Sequence, residues 1–144
     1  MKGEIEMTEA YPVFIKQHGK DFLVYVPDWD IYTEGRSFAD AIAMARDAIG
    51  LKGMDYQENQ ETFPEVSTPE QAIRLAVAEA DEDFDFQDGT LTFVDVDFTA
   101  YLSKLRNRAV KKNCTIPYWL NEKAEQMGIN FSQTLQEALM AKVN

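Results

Sequence analysis

The chain of 144 residues has one cysteine, Cys114, which excludes an intrachain disulfide and a zinc site built on cysteines. Its single histidine, His18, falls in a predicted turn. No cysteine or serine stands in a recognisable arrangement with it, so nothing supports nucleophilic catalysis. No apolar run approaches the ~20 residues of a membrane span. Met1 to Glu9 is polar and acidic, without the apolar stretch of a signal peptide. The expectation is a cytoplasmic protein with no membrane association. Positive charge is also scarce: 14 Lys and Arg stand against 25 Asp and Glu, a net charge of -11. Spread evenly, that charge would repel phosphate and argue against a nucleic-acid partner.

The charge is not spread evenly. Residues 1–103 hold 7 basic and 22 acidic side chains, a net of -15, whereas residues 104–144 hold 7 basic and 3 acidic, a net of +4. An asymmetry of this kind points to two modules with two partners. A hydrophobic content of 45% and an aromatic content of 12% suffice for a packed core and exceed what a disordered chain carries.

The first module reads as α+β. Tyr11 to Lys16 and Phe22 to Val26 are short apolar runs separated by Gln17 to Asp21, a turn in which Gly19 can take a positive φ. Pro27 has no N–H for a ladder and ends the second strand. A third strand is expected at Ile31 to Thr33, before Gly35. The period then changes from two to 3.6. Ser37 is a helix cap with Asp40 at capping-box spacing, and Phe38, Ala41, Ile42, Ala45, Ala48 and Ile49 form one face suited to lie on a sheet. Gly50 or Gly53 is expected to stop this helix, and Gln57 to Ser67 reads as a loop. Thr68-Pro69-Glu70-Gln71 starts a second helix, with Ile73, Ala76, Val77 and Ala80 as its expected apolar face. The acidic segment Asp81 to Asp88 leads through Asp88-Gly89 into a strand at Thr90 to Val96, and Phe98 to Leu105 reads as a helical or extended connector.

Beyond the connector the pattern sharpens. Val110 to Pro117 reads as a short strand ended by proline. Tyr118 to Met127 reads as a helix with Trp119, Leu120, Ala124 and Met127 on its apolar side, and Gly128 as its C-terminal cap. Asn130 and Gln133 stand at capping-box spacing before a second helix striped by Phe131, Leu135, Ala138 and Leu139. One strand and two helices in about 34 residues cannot bury a core alone, since folds below roughly 40 residues need a metal, a disulfide or a partner chain. Neither of the first two is available, so two chains are expected to intertwine. If their strands pair antiparallel, Cys114 and Ile116 point toward the helices while Lys111, Asn113 and Thr115 point outward. A two-stranded ribbon fits the DNA major groove, where lysine suits guanine, asparagine suits adenine, and threonine contacts either edge or the thymine methyl. Asn130 and Ser132, at the N-terminus of the last helix, are candidate phosphate anchors.

These residues carry a resemblance. Asn113-Cys114-Thr115-Ile116-Pro117-Tyr118-Trp119-Leu120, followed by Gly128 to Leu139, is similar to the C-terminal module of HicB-type antitoxins. Tyr11-Pro12-Val13-Phe14, Val26-Pro27-Asp28 and Thr33-Glu34-Gly35 before Phe38-Ala39-Asp40-Ala41 resemble the family's N-terminal half, so the likeness spans Tyr11 to Lys142. It implies a partial RNase H-like domain over residues 1–107, a small sheet with helices packed on it. That domain would bind and mask a small, basic, mRNA-cleaving toxin of the HicA type. It also implies a ribbon-helix-helix domain over residues 108–144 that dimerises through an intermolecular ribbon and represses its own operon. The partners expected are the toxin, a palindromic or pseudo-palindromic operator, and further copies of the chain in a homodimer or higher even-numbered oligomer. No cofactor or metal is implied. Asp28, Trp29 and Asp30 are the candidate toxin contacts: an exposed Trp29 would be an interface anchor, and a core tryptophan is the other reading.

An RNase H-like fold raises a rival, a metal-dependent nuclease, with Asp28, Asp30, Glu34, Asp95 and Asp97 as carboxylate candidates. Asp95 and Asp97 share one strand face, though alternating Asp on a solvent-facing strand is also an ordinary edge-protecting device. A second rival is a transcription regulator whose first domain senses a small ligand. The expectation is a binding protein without catalytic residues.

Overall fold

The computed structural model describes residues 7–82 and 85–144, and the chain divides into two compact units, Met1–Arg108 and Ala109–Asn144. In the first unit, strands β1 (Thr8–His18), β2 (Asp21–Val26), β3 (Ile31–Gly35) and β4 (Thr90–Asp97) form an antiparallel sheet in the order β3-β2-β1-β4. Gly19, at φ 63°, turns β1 into β2, with Phe14 opposite Tyr25 and His18 opposite Asp21. β1 is longer than its apolar run, because Thr8, Glu9 and Ala10 continue the ladder with Asp97, Val96 and Asp95.

Alternation along the strands gives the sheet two apolar faces. Tyr11, Val13, Ile15, Val24, Val26, Val94 and Val96 form one, packed with Ala41, Ala45 and Ile49 of helix α1 (Phe38–Glu58). Phe14 and Tyr25 form the other, packed with Ala72 and Ala76 of helix α2 (Pro69–Glu79) and with Phe86. α1 begins as expected: the Ser37 hydroxyl accepts from the Asp40 N–H at 3.0 Å, and Asp40 accepts from the Arg36 N–H at 2.8 Å. It does not stop at Gly50 or Gly53. A Cβ on Gly50 would lie 2.3 Å from the Tyr101 ring and one on Gly53 2.7 Å from Phe98, so both glycines admit aromatics of the following helix α3 (Phe98–Asn107). They are contact glycines rather than terminators, and the helix runs on to Glu58.

The reciprocal capping box of α2 is formed, Gln71 N–H to Thr68 Oγ1 at 3.2 Å and Thr68 N–H to Gln71 Oε1 at 2.9 Å. Its buried face keeps Ala76 of the expected one but differs otherwise. Ala72 and Ala76 face the sheet, while Ile73 and Val77 stay exposed. Small residues let the helix approach the broad Phe14–Tyr25 surface, and the β-branched pair lies one position round the helix. The connector expected at Phe98 to Leu105 is helical and runs on to Asn107, with Asp97 capping it through the Thr99 N–H at 3.0 Å.

Part of the acidic segment Asp81 to Asp88 falls outside the described residues, at positions 83 and 84. The remainder is anchored to the sheet: Phe86 is buried 5.4 Å from the Tyr25 ring, and Lys16 reaches Asp88 at 3.0 Å and the Asp85 carbonyl at 2.9 Å.

The second unit consists of α4 (Tyr118–Gln126) and α5 (Phe131–Val143). Gly128, at φ 70°, follows α4, with the Gly128 N–H bonded to the Glu125 carbonyl at 3.0 Å and the Ile129 N–H to that of Ala124 at 3.1 Å. These crossed bonds satisfy carbonyls that a helix end leaves open, as expected of a glycine cap. The capping box at Asn130 is half formed: Asn130 accepts from the Gln133 N–H at 3.0 Å, but the Gln133 side chain turns to Glu137 at 3.1 Å. The strand expected from Val110 to Pro117 has no ladder within the single chain, where residues 108–117 are neither strand nor helix.

Candidate functional site

Pro27–Trp29 forms a single 3-10 turn between β2 and β3, which Asp30 closes in the left-handed region at φ 51°. This turn sends its three candidate residues in different directions. Trp29 is only 2% exposed, caged by Tyr11 at 5.4 Å, Tyr56 at 5.0 Å, Phe63 at 5.4 Å and Phe98 at 5.9 Å. It belongs to the core, the second of its two readings: the aromatic cage comes from elements remote in sequence. Its indole N–H has no hydrogen-bond partner among the described residues. Burial, helped by the Glu9 and Asp28 carboxylates, pushes the Tyr11 hydroxyl up to about 12. The Tyr11 hydroxyl donates to the Pro64 carbonyl at 2.7 Å and is neutral at physiological pH.

Asp28 is also committed internally. Its carboxylate accepts from the Ser67 N–H at 2.9 Å and from the Ser67 hydroxyl, and Lys52 donates to the Trp29 carbonyl. Together these bonds tie the 59–68 loop and α1 to the turn. Of the three, Asp30 alone is fully exposed.

The exposed chemistry of the unit gathers instead beside β3. Tyr32, half exposed, stacks on Tyr25 with ring centroids 4.9 Å apart, and its hydroxyl donates to Glu79 at 3.2 Å. Burial raises the Tyr32 pKa, and the neighbouring Glu79 carboxylate raises it further. Tyr25, beneath it, is raised more strongly, again chiefly by burial. Tyr32 and Glu79 lie 47 positions apart in the chain. Neither was singled out from the sequence; an aromatic at an edge-strand position was the one available signal.

Three of the five carboxylates proposed for metal-dependent chemistry do other work. Asp95 pairs with Arg46 at 3.0 Å, Asp97 caps α3, and Asp28 holds Ser67. Among the described residues no three His, Cys, Asp or Glu side chains are placed to share a metal ion. Nor is any helix among them long and apolar enough to cross a membrane.

In the second unit Lys111, Asn113, Thr115, Asn130 and Ser132 are all exposed. Cys114, expected to face a ribbon core, is exposed in the single chain, as is Ile116. The Oδ1 of Asn130 is occupied by its cap, so its amide nitrogen and the first N–H groups of α5 are what it can offer an anion. Only Ala124 is buried in this unit, while Trp119 is 64% exposed and Leu139 51%. Large side chains so placed lack the second apolar surface that a two-helix hairpin needs.

Residues 11–143 match the family model described as HicB_like antitoxin of bacterial toxin-antitoxin system. Among solved structures, it is similar to a chain of a toxin–antitoxin complex from Streptococcus pneumoniae, at 30% identity and a TM-score of 0.59, covering 94% of this chain and 99% of that one. It is also similar to the antitoxin HicB of Burkholderia pseudomallei, at 25% identity and a TM-score of 0.49, covering 94% of this chain and 96% of that one. A comparison with curated proteins gave no match. The fold, with a four-stranded antiparallel sheet and five α-helices among the described residues, and a family match over nearly its whole length assign the chain to the HicB-like antitoxins of bacterial toxin-antitoxin systems.

Proposed function

We propose that this chain masks a small, basic, mRNA-cleaving toxin of the HicA type through residues 1–107 and represses its own operon through residues 108–144, acting as a dimer. The division of charge supports the first half: the net charge of -15 over residues 1–103 attracts a basic RNA-binding protein and accelerates its association. The exposed apolar side of α4 and α5 supports the second and is the observation that carries it. A hairpin this short gains a core when a second copy covers Trp119, Leu135 and Leu139. Pairing the two copies of residues 110–117 antiparallel makes a ribbon that presents Lys111, Asn113 and Thr115 to base edges, with the α5 N-termini near Asn130 and Ser132 on flanking phosphates. The two-fold axis requires a palindromic or pseudo-palindromic operator. Catalysis has no part in this scheme, which is stoichiometric binding.

The test is co-expression with the product of the adjacent reading frame. Arrested growth on expressing that product alone, relief by this chain, and co-purification of the two are the expected results. A neighbour that is harmless, or that leaves this chain unbound, overturns the proposal. The DNA half has its own measurement. Asn113→Ala removes an outward contact and weakens operator binding by about 1–3 kcal/mol, while relief of growth arrest is unchanged. Wild-type affinity in a gel-shift titration would show that the ribbon register is wrong.

A further inference from the structure

The surface beside β3 holds a groove of about 440 Å³ whose lining includes Leu23, Tyr32, Thr33, Glu79, Asp81 and Phe86. Its floor is aromatic. Tyr32 lies nearly parallel on Tyr25, at 20°, and within 6.4 Å of Phe86, so one side of the Tyr32 ring is covered and its remaining exposure, 55%, opens outward. Its rim is acidic: among the described residues, two carboxylates and no lysine or arginine line it. The Tyr32 hydroxyl holds the Glu79 carboxylate at 3.2 Å, which orients it while leaving lone pairs for a further donor.

We infer that this groove is the seat of an arginine side chain of the basic toxin, stacked on Tyr32 and paired with Glu79. The inference rests on the toxin-masking reading above and adds the place and the chemistry of contact. A flat aromatic face beside an oriented carboxylate suits guanidinium specifically. That group is planar, is attracted to ring faces, is more weakly hydrated than an ammonium, and bonds carboxylates through two parallel N–H groups. A module carrying 22 acidic side chains before position 104 steers a basic partner in general. The groove is where steering becomes a specific contact, because it sets an aromatic ring face beside an oriented carboxylate.

The experiment titrates the full chain with the purified product of the adjacent reading frame by calorimetry, using wild type, Glu79→Lys, Tyr32→Ala and Asp55→Lys. Asp55 is exposed on α1, which packs on the opposite face of the sheet, so its reversal changes net charge equally without touching the groove. We expect Glu79→Lys to weaken binding by roughly 30-fold or more and Tyr32→Ala by about 10-fold, with Asp55→Lys within about threefold of wild type. Unchanged thermal unfolding of the variants keeps a folding defect apart from a contact defect. Equal losses for Glu79→Lys and Asp55→Lys overturn the groove in favour of diffuse attraction, and wild-type affinity of both groove variants overturns it outright. A change in oligomeric state on Glu79→Lys, with toxin affinity kept, overturns it in favour of a contact between copies. In each of these results the masking reading survives. Failure of the wild-type chain to bind overturns that reading, and the groove assignment with it.

Discussion

Gly35→Val unfolds the first unit at temperatures where the wild type is folded. Gly35 is buried at the end of β3, opposite Phe22, and a Cβ there would lie 2.4 Å from the Ala41 nitrogen, 2.7 Å from the Ala41 Cα and 2.8 Å from the Asp40 carbonyl carbon. All three are backbone atoms of the first turn of α1. Relief therefore requires the helix to lift off the sheet, losing the packing of Ala41, Ala45 and Ile49 on the valine face. Overpacking of this kind costs about 3 kcal/mol or more. For a domain near 100 residues that lowers the midpoint of thermal unfolding by roughly 15 °C. Gly19→Ala provides the contrast. Gly19 has φ 63° and nothing within 4 Å of a Cβ, so its replacement costs only the left-handed backbone, about 1 kcal/mol. Circular dichroism melts of both variants measure the difference. A Gly35→Val chain that melts with Gly19→Ala would show that the start of α1 can shift without loss. Toxin masking should fail along with the fold, and operator binding by the second unit gives a readout that does not depend on the sheet.

The features that the sequence made legible are those set within a few residues of each other. The β1–β2 turn at Gly19, the stop at Pro27, the Thr68–Gln71 capping box and the Gly128 cap each depend on local backbone geometry and a neighbouring side chain. The charge division was legible for a different reason: it is a property of composition alone. The misreadings share a cause as well. Gly50 and Gly53 look like helix terminators until Tyr101 and Phe98, some 50 positions later, are placed against them. Trp29 stays open between an exposed anchor and a core residue until Tyr56, Phe63 and Phe98 close around it. The face of α2 is chosen by how closely the helix must approach two aromatic rings, so alanines win over Ile73 and Val77 although hydrophobicity favours the latter. The Tyr32–Glu79 pair joins an edge strand to a helix C-terminus, and neither residue belongs to a motif.

The C-terminal unit inverts this relation, since its pattern was clear in the sequence and its core is absent from the single chain. Leu139→Asp is accordingly expected to abolish dimerisation and operator binding together. Leu139 stands one turn after Leu135 on α5, and the two leucines are 51% and 37% exposed in one copy. Covering a leucine fully stabilises by about 1.5–3 kcal/mol, and a symmetric dimer contains the residue twice. Aspartate removes both contributions and adds the cost of taking two carboxylates out of water without a partner. The sum exceeds what a hairpin interface of this size can lose and remain associated. Because a lone chain has no second strand to form the ribbon, operator affinity should fall by at least about 100-fold, beyond the loss of any single base contact. Sedimentation of the full chain measures the first effect and a gel-shift titration the second. Leu139→Asp and Asn113→Ala then separate two roles: the first yields a monomer that cannot bind, the second a dimer that binds less tightly. Neither should alter the melting of the first unit or its hold on the toxin. A Leu139→Asp chain that remains dimeric would place the shared core elsewhere. A monomer that still binds the operator would show that the outward residues Lys111, Asn113 and Thr115 act without a ribbon.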